Sequence, residues 1–362
     1  MTGSKRLIAF AAIVWTLVCT SQALADEPRR PLERTLSYEM LQIEGTVRSV
    51  PRDKVILLKS ALDRATYAAA AKYSTPRNRR QAIDSLDAIQ IAFAEHNFIL
   101  PISRRDWKDT IGDALEPLNL TREERRQLLA PGEVNGFRAR YINPVRPLYL
   151  VNDSIGSQLI ISVGQRFGWE MHLVSADDRY FVRWHVSPGL WINWDWTAGG
   201  PTRNEDYSTD EGRLYQDWPE RRRDLRSLSR GYASANYLHL LARHLANPAA
   251  KRGVLEKAMV DDATHEGVQN SLAWLYATDP RLPGNYRRKA VQYALSAWAA
   301  APRDPAVADT VACAYGAVGE RALGVEIQRF AIGRLREMRR DRLIPEFEAR
   351  MRQIQNGNLC TG

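Results

Sequence analysis

Three residues in the C-terminal third, Leu272, Ala273 and Tyr276, return 39 positions later as Val311, Ala312 and Tyr315. Ala290, Val291 and Ala297 return 34 positions later as Gly324, Val325 and Ala331. The difference of five fits a longer loop in the earlier copy, where Asp279-Pro280 and Pro283-Gly284 interrupt. Ala258 to Leu272 and Ala297 to Val311 are both 14 apart, which keeps the register. A weaker earlier pair runs from Tyr232 to Leu245 and from Arg252 to Val260. Such a recurrence constrains the fold more than any single motif does. One helical hairpin cannot bury its apolar face alone, so stacked copies must share a core. Repeats are expected over 231–345, with 346–362 as a C-terminal tail; the alternative is a nonrepeating helical bundle.

Upstream the pattern changes. Residues 26–34 are polar and proline-rich, a tether. From about Tyr38 to Asn97 apolar residues recur at helical spacing: Val55, Leu57, Leu58, Ala61 and Leu62, then Ile83, Leu86, Ile89, Ile91 and Phe93. Thr121 and Glu124 have the spacing of a capping box. Pro144 and Pro147 break the chain before a helix over 154–167, carried by Ile155, Leu159, Ile160, Val163 and Phe167 and ended by Gly168. Strands are expected at Met171 to Val174, Tyr180 to Val186 and Leu190 to Asp195. Helix followed by antiparallel strands is an α+β layout. This assigns 34–200 to one domain and 201–230 to a linker.

Residues 1–25 read as a secretory signal. Lys5 and Arg6 precede an apolar run from Leu7 to Val18, and Ala23-Leu24-Ala25 offers the small residues of a cleavage site. The run is shorter than the roughly 20 residues a bilayer span needs; a retained anchor is the alternative. No later stretch is long and apolar enough to cross a membrane, so an exported, soluble chain is expected, periplasmic or secreted. The net charge is +9, and +7 without Lys5 and Arg6. The excess is scattered, with Arg221-Arg222-Arg223 the only tight run. That suits a solvated surface, and nucleic acid is not an expected partner. Cys313 and Cys360 lie beyond the signal; an oxidising compartment permits a disulfide, and a buried free thiol at Cys313 is the other reading. The six His are dispersed, no cysteine has a ligand spacing, and no metal or cofactor is expected.

The order of NDSIGSQLIISVGQRFG, DDRYFVRW and WINWDWTAGG, followed by NSLAWLYATDP and DTVACAYGAVGERALGVEIQRFAI, resembles the bacterial transglutaminase-like family with appended tetratricopeptide repeats. The resemblance spans roughly 40 to 340 and implies a papain-related α+β core followed by an α-solenoid. In active members a Cys opens the central helix, a His begins the second strand, and an Asp or Asn on the third orients the imidazole. A helix N-terminus and an imidazolium make the thiolate nucleophile. In this sequence those positions read Asp153, Arg179 and Asn193, with Asp195 the nearby alternative for the third. A carboxylate is a poor acyl acceptor, and a guanidinium stays charged and cannot be a general base. The resemblance therefore implies a pseudoenzyme in which an Asp153–Arg179 ion pair replaces the reactive one. Asp153 is equally open to simple helix capping, and Arg179 to the role of a solvated turn residue.

Ser154 and Ser157 are the other nucleophile candidates. His185 shares the strand face of Arg179 but lies six residues on, roughly 20 Å at about 3.3 Å each; His172 lies on the neighbouring strand. Six of the ten Trp fall between 169 and 218. Trp184 should face a core. Trp191, Trp194 and Trp196 either join it or line a cleft that holds an extended peptide or glycan. The expected function is binding or scaffolding, with the repeats presenting a concave surface to a protein or peptide. The alternative is a hydrolase or acyltransferase of the same fold acting on peptide or isopeptide bonds.

Overall fold

The computed structural model describes residues 30–99, 108–129, 139–176, 179–207, 225 and 227–361. The expected signal segment, the turn residues Asp177 and Asp178, the side chain of Arg179 and most of the expected linker lie outside them. The chain is a mixture of helix and sheet. It divides into two compact units, the first ending at Tyr207 and the second formed by the residues after it; Ile43–Ser49, Ser175 and Ala176 group with the second.

The first unit opens with α1 (Leu36–Val47), α2 (Arg52–Tyr73) and α3 (Arg79–Glu95). Helices α2 and α3 pack together through small and branched residues, Ala61, Leu62, Ala65 and Ala69 on one, Ala82, Leu86, Ile89 and Phe93 on the other, all buried. β1 (Phe98–Ile99) pairs in parallel with β2 (Tyr149–Leu150). Between them lie α4 (Ile111–Ala114) and α5 (Arg122–Leu128). The capping box at α5 forms as the sequence predicts: Thr121 accepts from the Glu124 backbone N–H, and the Glu124 side chain accepts from that of Thr121.

The central helix α6 (Asp153–Phe167) ends at Gly168, which takes the left-handed conformation (φ 75°) that favours glycine. It lies on a sheet in which β3 (Glu170–Ala176), β4 (Arg179–Ser187), β5 (Leu190–Asp195) and β6 (Gly200–Thr202) follow the order β6-β5-β4-β3. β4 and β5 pair antiparallel, with Val182 opposite Trp194 and Arg183 opposite Asn193. The predicted strands are present, each the same length as expected or a few residues longer. Bare backbone at Gly156 lets α6 approach the sheet closely, because a Cβ there would overlap the Trp196 ring. Trp196 packs edge-on to Phe93, with centroids 5.8 Å apart, and Phe93 stacks on Phe98. Buried Gln90 joins the two tryptophans: its amide donates to the Trp196 carbonyl (3.0 Å) and its oxygen accepts from the Trp194 indole (3.0 Å). A buried indole N–H left unmatched is costly; Gln90 satisfies that of Trp194, and the Val151 carbonyl that of Trp196 (3.2 Å), so both rings are compatible with a core.

The second unit is a run of helices: α7 (Arg230–Arg243), α8 (Pro248–Asp261), α9 (Glu266–Thr278), α10 (Gly284–Ala300), α11 (Pro305–Ala317), α12 (Arg321–Glu337) and α13 (Ile344–Gln355). They pair as α7–α8, α9–α10 and α11–α12, and the first helices of successive pairs also pack together. The residues that recur in sequence occupy matching places. Leu272 and Ala273 are buried in α9 as Val311 and Ala312 are in α11; Ala290 and Ala297 are buried in α10 as Gly324 and Ala331 are in α12.

The C-terminal segment differs from the expectation of a tail. Residues 344–355 form α13, which buries Phe347, Arg350 and Ile354, a three-and-four spacing that continues the helical pattern. Cys313 of α11 and Cys360, just beyond α13, are joined by a disulfide, with Cα atoms 5.8 Å apart. The free-thiol reading of Cys313 is set aside. Among the described residues no helix is long and apolar enough to cross a membrane.

Candidate functional site

The start of α6 is where the resemblance places a nucleophile. Asn152, not Asp153, is the N-cap: its side-chain oxygen accepts from the Ile155 backbone N–H at 2.8 Å, and its amide donates to the Lys108 carbonyl. Asp153 is the first helical residue and is 2% exposed. One carboxylate oxygen accepts from the Ser154 N–H (2.8 Å), the other from the Tyr180 N–H (2.8 Å) at the beginning of β4. The carboxylate therefore bolts the helix to the strand next to Arg179. The simple-capping reading of Asp153 is corrected; Asn takes that role because its neutral amide both caps the helix and bonds to the loop.

Asn193 does not join Asp153. Trp194 and Trp196 point toward the helices, so residues of opposite parity on β5 point away. Asn193 accepts from the Arg183 guanidinium (3.0 Å) and donates to Asn204 (2.8 Å) on that far face. Asn193 is thus not brought to Asp153, and the side chain of Arg179 lies outside the described residues. Asp195 holds its own turn, accepting from Thr197 and Ala198. Among the described residues the hydrogen bonds of the serine candidates reach no base. Ser154 accepts from Gln158, and Ser157 donates to the Tyr180 carbonyl. His172 and His185 stand together, 5.5 Å between rings, on the sheet face turned from α6. Cys313 is held in the disulfide.

The three binding tryptophans also separate. Trp194 and Trp196 are fully enclosed and belong to the core, so the cleft role expected of them is corrected. Trp191 keeps an open face, 41% exposed, with the Arg183 guanidinium 5.1 Å from its ring centre. Trp184 faces the core, as predicted, and stacks on Trp169 at 4.2 Å.

A site that the motifs did not reveal lies in the second unit. A groove of about 800 Å³ runs along the first helices of the pairs, α7, α9 and α11, with α13 at one end. Arg350 of α13 is buried there. It bonds to Asp309 (2.9 Å) and Glu346 (2.6 Å), and its guanidinium lies 5.4 Å from the Trp274 ring centre. Burial pushes the Asp309 carboxyl up, against the opposing pull of Arg350 and Gln328. On the rim Asp279 is paired with Arg281 at 2.8 Å. All three acids of the lining are therefore engaged. At the other end Arg243 and Lys251 have no carboxylate within ion-pair reach among the described residues. In the wall between, the enclosed side-chain oxygen of Asn270 has no hydrogen-bond partner among the described residues. His239 shares a hydrogen bond with Ser271 at 2.9 Å. Burial, reinforced by the positive fields of His265 and Arg243, holds its imidazole down at about 4.

These residues escaped sequence reasoning because it sought what recurs. The recurring positions are the buried ones; the groove is lined by those that change from copy to copy. The available signal was a four-residue spacing on the first helices, His239 with Arg243 and Asn270 with Trp274. Among the described residues no group of three or more His, Cys, Asp or Glu could hold a metal ion. Comparison of the chain with protein families, curated proteins and solved structures finds no match in any of the three.

Proposed function

We propose that this chain is an exported binding protein, periplasmic or secreted, whose tetratricopeptide-like array takes an extended peptide of a partner along the groove of α7, α9 and α11. Its first unit is a transglutaminase-like framework without the chemistry. The observation that carries the reading is the groove itself. Its volume suits several residues of extended chain, and it runs across three successive helical pairs with Trp274 in its wall. The first unit supports the non-catalytic half. Asp153 stands where the family has its cysteine, both of its oxygens are occupied by backbone N–H groups, and Asn193 lies on the other side of the sheet.

The test is a peptide-array screen on the full-length chain, followed by affinity measurement. Peptides selected by the array should bind, and Ala246→Trp, which puts a large ring into the groove from an exposed lining position, should weaken them by at least about tenfold. Selected peptides that bind Ala246→Trp and wild type equally would place the site elsewhere. Amidase or acyl-transfer activity lost on Ser154→Ala would favour the hydrolase instead.

A further inference from the structure

We propose that the α7–α8 end of the groove seats the carboxylates of an acidic peptide segment between Arg243 and Lys251, and that His239 takes up a proton as the segment binds. This rests on the groove reading above and names the chemistry of its ligand.

The groups around His239 are nearly all of one sign. Arg243 lies one turn further along α7 and Lys251 at the start of α8, both on the groove. From α9 come His265, whose ring is 5.7 Å away, the neutral Ser271, and Glu266. Among the described residues Glu266 is the acid of this group, and the Tyr232 hydroxyl already donates to it. The imidazole is held by Ser271 and packed on α9. It lies against the first turn of α9 so closely that a Cβ on Gly267 would come within 2.9 Å of its Cε1. A proton on His239 is therefore disfavoured first by burial and then by the fields of His265 and Arg243. An arriving carboxylate supplies the missing opposite charge. By linkage, a ligand that eases protonation of His239 is itself bound more tightly by the protonated form.

The occupant is a peptide and not a bare anion because the groove is long. It runs from Arg243 and Lys251 past Trp274 to α13, and its volume of about 800 Å³ far exceeds that of one small anion. Cations at one end of an extended groove call for an acidic extended segment.

The experiment uses the full chain with its disulfide intact, an end-blocked tetraglutamate peptide, its tetraglutamine counterpart and inorganic phosphate. Affinities are measured from pH 8 to pH 5, and the His239 ring signal is followed by NMR with and without peptide. Tetraglutamate should bind at least about tenfold more tightly than tetraglutamine, tighten as pH falls by up to tenfold per unit, and raise the His239 midpoint. Arg243→Ala should weaken it by about tenfold, and His239→Gln should bind without the pH slope. Equal affinity for the two peptides, phosphate binding as tightly as tetraglutamate, or an unmoved His239 midpoint at saturation would each overturn the proposal. If tetraglutamine binds as well as tetraglutamate, the groove reading stands and the acidic segment falls. If neither peptide binds and array-selected peptides do not bind either, both fall.

Discussion

Asp153 and Arg243 are charged residues in the two units, and they are treated in opposite ways. At Asp153 every visible demand is met: helix N–H on one side, strand N–H on the other, nearly no exposure. At Arg243 and Lys251 two cations line a groove with no acid in reach among the described residues. A charge whose bonds are closed within the fold fixes geometry. A charge left open beside a cavity is available to something from outside. The first arrangement contributes to stability, and the second is where recognition is expected.

The comparison can be broken at several points. Trp196→Ala should cost the first unit about 3–5 kcal/mol, since a large ring leaves a cavity beside Gly156 and the Val151 carbonyl loses its indole donor; chemical denaturation with CD detection reads this, and a cost below about 1 kcal/mol would mean that the helix–sheet contact is not as close as described. Reducing the disulfide should destabilise the second unit by about 4 kcal/mol on the loop-entropy account for a 47-residue separation. Thermal melts with and without reductant decide it, and Cys313→Ala should behave like the reduced protein.

Acid should act next. The unfolded imidazole of His239 takes a proton near 6.5, the folded one only near 4. Protonation thus favours the unfolded chain, and stability present above pH 6.5 is lost as pH falls toward 4, by up to about 3 kcal/mol. His239→Gln should remove that component, and an unchanged pH profile in this variant would show that the imidazole is not enclosed. Asp153→Ala should cost about 1–3 kcal/mol through two backbone N–H groups left without partners. Exposed Arg243→Ala should change stability by less than about 0.5 kcal/mol.

How much of this was legible in the sequence follows from what kind of signal each feature carries. Helix α6, its glycine stop and the three strands were readable because burial imposes periodicity on Ile155, Leu159, Val163 and their neighbours. The capping box at Thr121 was readable because it is local. The stacked hairpins were readable because a shared core repeats its small residues. The face of Asn193 was not, since a strand's parity relative to a helix is fixed only once the sheet is assembled; the same missing parity let Trp194 and Trp196 pass for cleft residues. Helix α13 was missed because its apolar positions have no earlier copy to match. The groove was hidden because its lining is defined by difference between copies, and no single sequence marks difference as meaningful.

The most direct measurement of the central claim is peptide affinity in two variants side by side, Arg243→Ala and Asp153→Ala, with tetraglutamate as the probe. The account predicts that Arg243→Ala loses about tenfold in affinity at unchanged stability, whereas Asp153→Ala loses stability and keeps its affinity within about twofold. Affinity lost on Asp153→Ala and retained on Arg243→Ala would contradict it and return the site to the start of α6.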